Sequence, residues 1–238
     1  MLSHAEDLQR RCASLRDVPL RLAFVRDWLR HAGPDVVVDV VVGTVAGSPR
    51  EDVGLLVSLA LCEESFGALR DEAARTASER GHVLAAQLLG RHPPEEGPGE
   101  LRVPDFGRGR PLTLGERKSL ARRRDRQVLA RVLRDPHPEV VRILLGNPAL
   151  TEEDVVRLAA RRPVDPKALT AIVHEPKWAV RPHVRRAIVQ NPWTPLGVAM
   201  LLVPHLTRPE LLELERSADL RGPLREMAAA LRRGASAH

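Results

Sequence analysis

The sequence predicts an all-α protein, an α-solenoid of short paired helices. Three observations carry that expectation. The stretch PEVVRILLGNP, Pro138 to Pro148, returns 44 positions later as PHVRRAIVQNP, Pro182 to Pro192, with Val third, Arg fifth, an aliphatic run and a terminal Asn-Pro. Prolines punctuate the second half at Pro136, Pro148, Pro163, Pro176, Pro192 and Pro209. Proline disfavours helix at the residue before it and fits the first turn of the next one, so each marks a helix junction. Between the prolines, apolar residues recur at helical spacing, as in TEEDVVRLAARR and TPLGVAMLLVPHL.

Taken in order, the first element is SHAEDLQRRCASL, where Ser3 and Glu6 have capping-box spacing. LRLAFVRDWLRHAG follows, with Leu20, Leu22, Phe24, Val25, Trp28 and Leu29 on one helical stripe and Gly33 as its stop. PDVVVDVVVGTVAG is rich in valine, which favours strand. Its Pro34 start, its length and its helical neighbours point instead to a buried helix. Ser48 and Pro49 read as N-cap and first helical position of the next segment, and a helical pair around Gly81 completes a region 1–91. Residues 92–111 are too rich in Pro and Gly for a regular element, so they form a linker or a long surface loop and mark a boundary. From residue 112 to 238 the sequence reads as repeated helices. In it Thr151 caps toward Asp154, and Asn147 and Asn191 are placed to form a turn or to bond to the neighbouring repeat.

Composition narrows the function classes. The chain has 238 residues, 43% hydrophobic and 29% charged, which describes an ordinary globular protein. No apolar run is long enough to cross a membrane and the N-terminus lacks an apolar leader, so the expectation is a cytoplasmic protein without membrane insertion. The net charge of +6 is uneven: residues 1–99 hold 11 Lys/Arg against 15 Asp/Glu, leaving the excess of base in the second half. Aromatic content is 3% with no Tyr, which weighs against a surface that stacks single-stranded bases.

The sequence contains no recognisable catalytic constellation. GRGRP lacks the lysine and Ser/Thr of a phosphate loop, and no Gly-x-Ser-x-Gly elbow is present. The nine histidines are scattered singly, and Cys12 and Cys62 have no metal-ligand spacing. No catalytic residue, metal site or cofactor is therefore expected, and the acids of TEEDVV suit a helix N-terminus. The informative stretch is Arg117–Arg134, in which Arg117, Lys118, Arg122, Arg123, Arg124, Arg126, Arg131 and Arg134 face a single acid, Asp125. As one helix it would bury Leu120, Val128, Leu129, Val132 and Leu133 and spread its cations over the rest of its surface. Arg102, Arg108 and Arg110 add to the same field. Arg142 and Arg186 occupy matching positions of the echoed phrase, either as a ladder along one face or paired with acids of adjacent repeats. Trp178 and Trp193 flank the second copy, as seals between repeats or as linings of a groove.

The two-helix repeat, with its Asn-Pro and Thr-Pro punctuation in NPALTEEDVVRLAARRP and NPWTPLGVAMLL, resembles HEAT-like α-helical repeat proteins, and within them the bacterial leucine-rich repeat variant family. The resemblance covers roughly residues 112–231. It implies a solenoid of short helices with an extended concave surface. The iron–sulfur cluster of some family members needs four cysteines, and this chain has two. The expected function is a non-enzymatic scaffold for protein–protein interaction, with a partner that could be acidic. The alternative is a nucleic-acid-binding solenoid using the arginine-rich face, with a HEAT-like DNA glycosylase as its remote extension. Neither Asp154 nor Asp165 distinguishes itself from a helix cap as that enzyme's acid.

Overall fold

The computed structural model describes residues 4–46, 51–93, 97–107 and 109–234. The expected caps at Ser3, Ser48 and Pro49, and Arg108, lie outside them. Among the described residues there are sixteen α-helices and two short 3-10 helices, and no strand. None of the helices is long and apolar enough to cross a membrane. The chain divides into two compact units, Met1–Pro93 with Leu196–His238, and Pro94–Pro195.

The first unit begins with α1 (His4–Ala13), α2 (Val18–His31), α3 (Pro34–Val45), α4 (Glu51–Leu61), α5 (Gly67–Glu79) and α6 (Val83–Leu89). The valine-rich segment is the helix α3, as expected. Pro34 starts it with Asp35 in the first turn, and Val37, Val38, Val40 and Val41 are buried. Asp39, between the valine pairs, points outward and holds Arg80 at 2.7 Å. Helix propensity is a weak prior, and burying four valines, each contributing about 1.5–3 kcal/mol, overrides it. The stripe of α2 is narrower than the sequence suggests: Leu22, Val25 and Leu29 are buried, while Leu20 is 53% exposed. Where α3 meets α4, a Cβ on Gly54 would lie 2.3 Å from Thr44 Oγ1, so only glycine permits that approach. Gly81, at φ +76°, turns the chain between α5 and α6.

The second unit holds α7 (Leu114–Ala121), α8 (Arg126–Val132), α9 (Pro138–Leu145), α10 (Glu152–Ala160), α11 (Pro166–Val173), the single turn α12 (Pro176–Ala179) and α13 (Pro182–Val189). The remaining helices, α14 (Leu196–Leu202), α15 (Arg208–Arg216) and α16 (Gly222–Gly234), belong to the first unit. The sequence puts one helical-repeat region over 112–238, whereas residues from Leu196 onward pack with the N-terminal helices. Helix α14 lies against α4 and α6. Arg70 fixes it there: its Nε donates to Leu89 O at 2.9 Å, and one Nη donates to Gly90 O at 3.0 Å and Gly197 O at 3.3 Å. Ser58 and His205 add a side-chain hydrogen bond of 2.9 Å. These joins span more than a hundred residues of chain, which no local pattern encodes. The segment 92–111 joins the second unit from Pro94 onward, and Phe106 within it is buried.

Helices in the second unit also pack with their second or third neighbours in the chain. Helix α7 lies against α9 and α9 against α11, while α10 lies against α13. Two rows result, one of α7, α9 and α11, the other containing α10 and α13, with α8 tied to α10 by Arg126. Successive row members start 24 to 30 residues apart (α7 to α9, α10 to α13). The 44-residue echo is therefore not the period, because α9 and α13 lie in different rows. What recurs is the ending. Asn147 Nδ2 donates to Ala121 O (2.8 Å) and Arg123 O (2.7 Å), at the end of α7, and Asn147 Oδ1 accepts from Ala149 N–H. Asn191 Nδ2 donates to Ala159 O (2.7 Å) and Arg161 O (2.8 Å), at the end of α10, and its Oδ1 accepts from Trp193 N–H. Each asparagine thus satisfies two of the carbonyls that a helix C-terminus leaves open, on the preceding helix of its own row. The proline that follows stops the helix so that the amide can make this reach. With helix ends side by side, α7 and α9 run parallel, and so do α10 and α13.

Candidate functional site

The cations of Arg117–Arg134 do not lie on one helix. The segment breaks into α7 and α8 at residues 122–125. Asp125, the single acid, causes the break by capping α8: its carboxylate accepts from Gln127 N–H and Val128 N–H. Asn147 secures the other side by taking the carbonyls that α7 leaves open. The break divides the expected patch into two sets.

The larger set is engaged by groups of the fold, although only Arg117 in it is buried. Arg117 is buried and donates to both oxygens of Asp135, at 2.8 and 3.0 Å. Arg126 forms two hydrogen bonds to Asp154, at 2.8 and 3.1 Å, and a third to Ala149 O. These bonds hold the Asp154 carboxyl well down, to about 2. Arg131 donates to Phe106 O at 2.8 Å and pins the loop over α8. Lys118 pairs with Glu139 across α7 and α9, which keeps that carboxyl below its ordinary range. Arg110, in the loop, forms a fork with Glu116 and lowers its carboxyl to about 2. These cations hold neighbouring elements together, and an exposed pair of this kind contributes only about 0–1 kcal/mol.

The smaller set faces solvent. Arg122, Arg123, Arg124 and Arg142 are exposed, and no acid pairs with them among the described residues. Arg122 donates to Lys118 O at 3.2 Å, within its own helix. Arg142 and Arg186 do not form a ladder: they belong to different rows. Each lies in the last turn of its helix, where a cation offsets the helix dipole. Arg186 lines a groove of about 250 Å³ between α10 and α13, together with Val156, Ala160 and Ala187.

The tryptophans divide too. Trp178 is 2% exposed, its indole N–H donates to Leu145 O at 2.9 Å, and Lys177 and Arg181 lie over its ring at 4.5 and 5.3 Å. It seals the end of α9 and lines no groove. Trp193 is half-buried beside Asn191. The two acids weighed against a glycosylase both cap helices: Asp154 completes the capping box with Thr151, and Asp165 accepts from Lys167 N–H at 2.8 Å.

No His/Cys/Asp/Glu group able to hold a metal occurs among the described residues. Burial raises the Cys62 thiol to about 12 and raises Cys12 as well, so neither is poised as a nucleophile. Sequence patterning gave no sign of a second basic cluster in the first unit, around Arg70 and His92. Burial, then the Arg70 charge, lowers the His92 imidazole. Arg70 spends its donors on three carbonyls, which makes it a joint between helices. No family model, curated protein or solved structure matches the chain.

Proposed function

We propose that this chain is a HEAT-like α-solenoid, a non-enzymatic scaffold that mediates protein–protein interaction. The observation that carries the proposal is the pair of asparagine joints at Asn147 and Asn191, which stack helices into rows through main-chain carbonyls and leave the outward faces for a partner. The internal use of Arg117, Lys118, Arg126 and Arg131 supports this reading over a nucleic-acid track, because a long polyanion needs cations spread along a surface. An array of immobilised peptides probed with the purified protein at about 200 mM salt tests it, since phosphate-type attraction is strongly screened there. A discrete set of retained peptides is expected. An array without retained peptides overturns the proposal.

A second reading, a nucleic-acid-binding solenoid, draws on the exposed Arg122–Arg124 turn. It requires duplex DNA to bind at about 50 mM salt and to lose about 10³-fold or more by about 200 mM, the expectation for six or more phosphate contacts.

A further inference from the structure

We infer that the edge of the second unit formed by the ends of α7 and α9 is a docking surface for an acidic segment of a partner protein, gripped by Arg122, Arg123, Arg124 and Arg142. The inference rests on the scaffold reading above and gives it a site and a partner chemistry.

Three features of this edge point to that occupant. The first is register. Helices α7 and α9 run parallel, and the Lys118–Glu139 pair bridges them. Arg122 lies four residues beyond Lys118 and Arg142 three beyond Glu139, so both stand one turn further along the sides that carry that pair. Arg123 and Arg124 follow directly in the turn. Asn147 holds this turn by its bond to Arg123 O at 2.7 Å, beside the end of α9. The cluster is thus placed by a rigid joint between two helices.

The second is the charge balance of the surroundings. The acids nearby are already engaged: Glu139 with Lys118, Asp125 as the cap of α8, Asp154 with Arg126, Glu152 with Arg181 at 2.5 Å, and Glu153 with Arg157. Arg122, Arg123 and Arg124 form no ion pair with an acid among the described residues, and Arg142 has only the field of Glu139, which Lys118 already holds. One cation in the last turn of α9 offsets its dipole, which accounts for Arg142 alone. Three successive exposed arginines just beyond α7 exceed that need and repel one another, so an external anion lowers their energy.

The third is size, which selects the occupant. The cluster spans one turn and one helix end, while Arg117, Arg126 and Arg131 of the same stretch are bonded to Asp135, Asp154 and Phe106 O. A short group of arginines at one helix end suits a few neighbouring carboxylates, since each guanidinium can hold a carboxylate in two-point contact. It offers no track for the evenly spaced phosphates of a duplex. The low aromatic content removes the stacking that single strands require.

The test is fluorescence anisotropy with a labelled peptide containing four consecutive glutamates, against the full chain. The same titrations are run with the triple variant R122E/R123E/R124E, with R142E, and with R16E/R75E/R233E as a control carrying an equal charge change elsewhere. Circular dichroism checks that each variant is folded. The expected result is a loss of at least tenfold in affinity for the triple variant, several-fold for R142E, and less than twofold for the control. Equal loss in the control, unchanged affinity in the triple variant, or an unbound peptide each overturns the inference. Tighter binding of duplex DNA that the triple variant abolishes also overturns it, in favour of nucleic acid. Peptides retained on the array without acidic enrichment sink this inference and leave the scaffold reading standing, whereas an empty array sinks both.

Discussion

Asn191→Ala is the sharpest perturbation of the fold. The side chain is 2% exposed and makes three hydrogen bonds, to Ala159 O, to Arg161 O and from Trp193 N–H. Alanine removes all three and leaves two carbonyls at the end of α10 short of a donor. At about 1 kcal/mol for each lost bond, and more where a buried group is orphaned, the destabilisation comes to about 3 kcal/mol. Asn191→Asp is worse at neutral pH, because it turns lone pairs toward carbonyls that need donors. Urea unfolding followed by circular dichroism gives the number, with His183→Ala, an exposed position of the same helix, as control. The control changes stability by less than about 0.5 kcal/mol. A loss below about 0.5 kcal/mol for Asn191→Ala would refute the idea that this amide joins the rows, and Asn147→Ala must then be reconsidered with it.

Three further outcomes are expected. Asp135→Ala strands the buried Arg117 guanidinium and removes an acceptor of His137 N–H, at a cost of about 3–5 kcal/mol in the same unfolding experiment. The Asp154 carboxyl, held down to about 2 chiefly by Arg126, contributes stability that is present above its unfolded value near 3.8 and is lost as pH falls toward 2. Arg126→Ala therefore moves the carboxyl titration of Asp154, followed by NMR, upward. Cys62, raised to about 12, and Cys12, raised by burial, react slowly with a thiol reagent at pH 8 in the folded protein, and both react readily in urea.

The helical class was legible because proline marks helix starts on purely local grounds, and Pro34, Pro138, Pro166, Pro176 and Pro182 all stand at the first helical position. The α3 valines were read correctly once Pro34 and the neighbours outweighed propensity. The echo suggests a structural period, yet its two copies, α9 and α13, belong to different rows. The phrase instead encodes a way to end a helix, and either row uses it. The break inside Arg117–Arg134 was available in the sequence, since Asp125 is a good N-cap, but arginine, leucine and alanine around it all favour continuous helix. Which arginines find acid partners could not be read there. That depends on partners such as Asp135 and Asp154, 18 and 28 residues away from Arg117 and Arg126, which only the packing of rows brings near. The joining of α14–α16 to the N-terminal helices is likewise a matter of distant contacts, with Arg70 reaching a carbonyl 127 residues on.

The asparagine amide grips oxygen atoms that every residue except a modified backbone would offer. Its hold on the neighbouring helix is blind to which side chains that helix carries. Framework and decoration are therefore uncoupled: substitutions on the outward faces of α7, α9, α10 or α13 can retune charge or shape without undoing the joint beneath. Such a construction can change its outer surface while keeping how it stands.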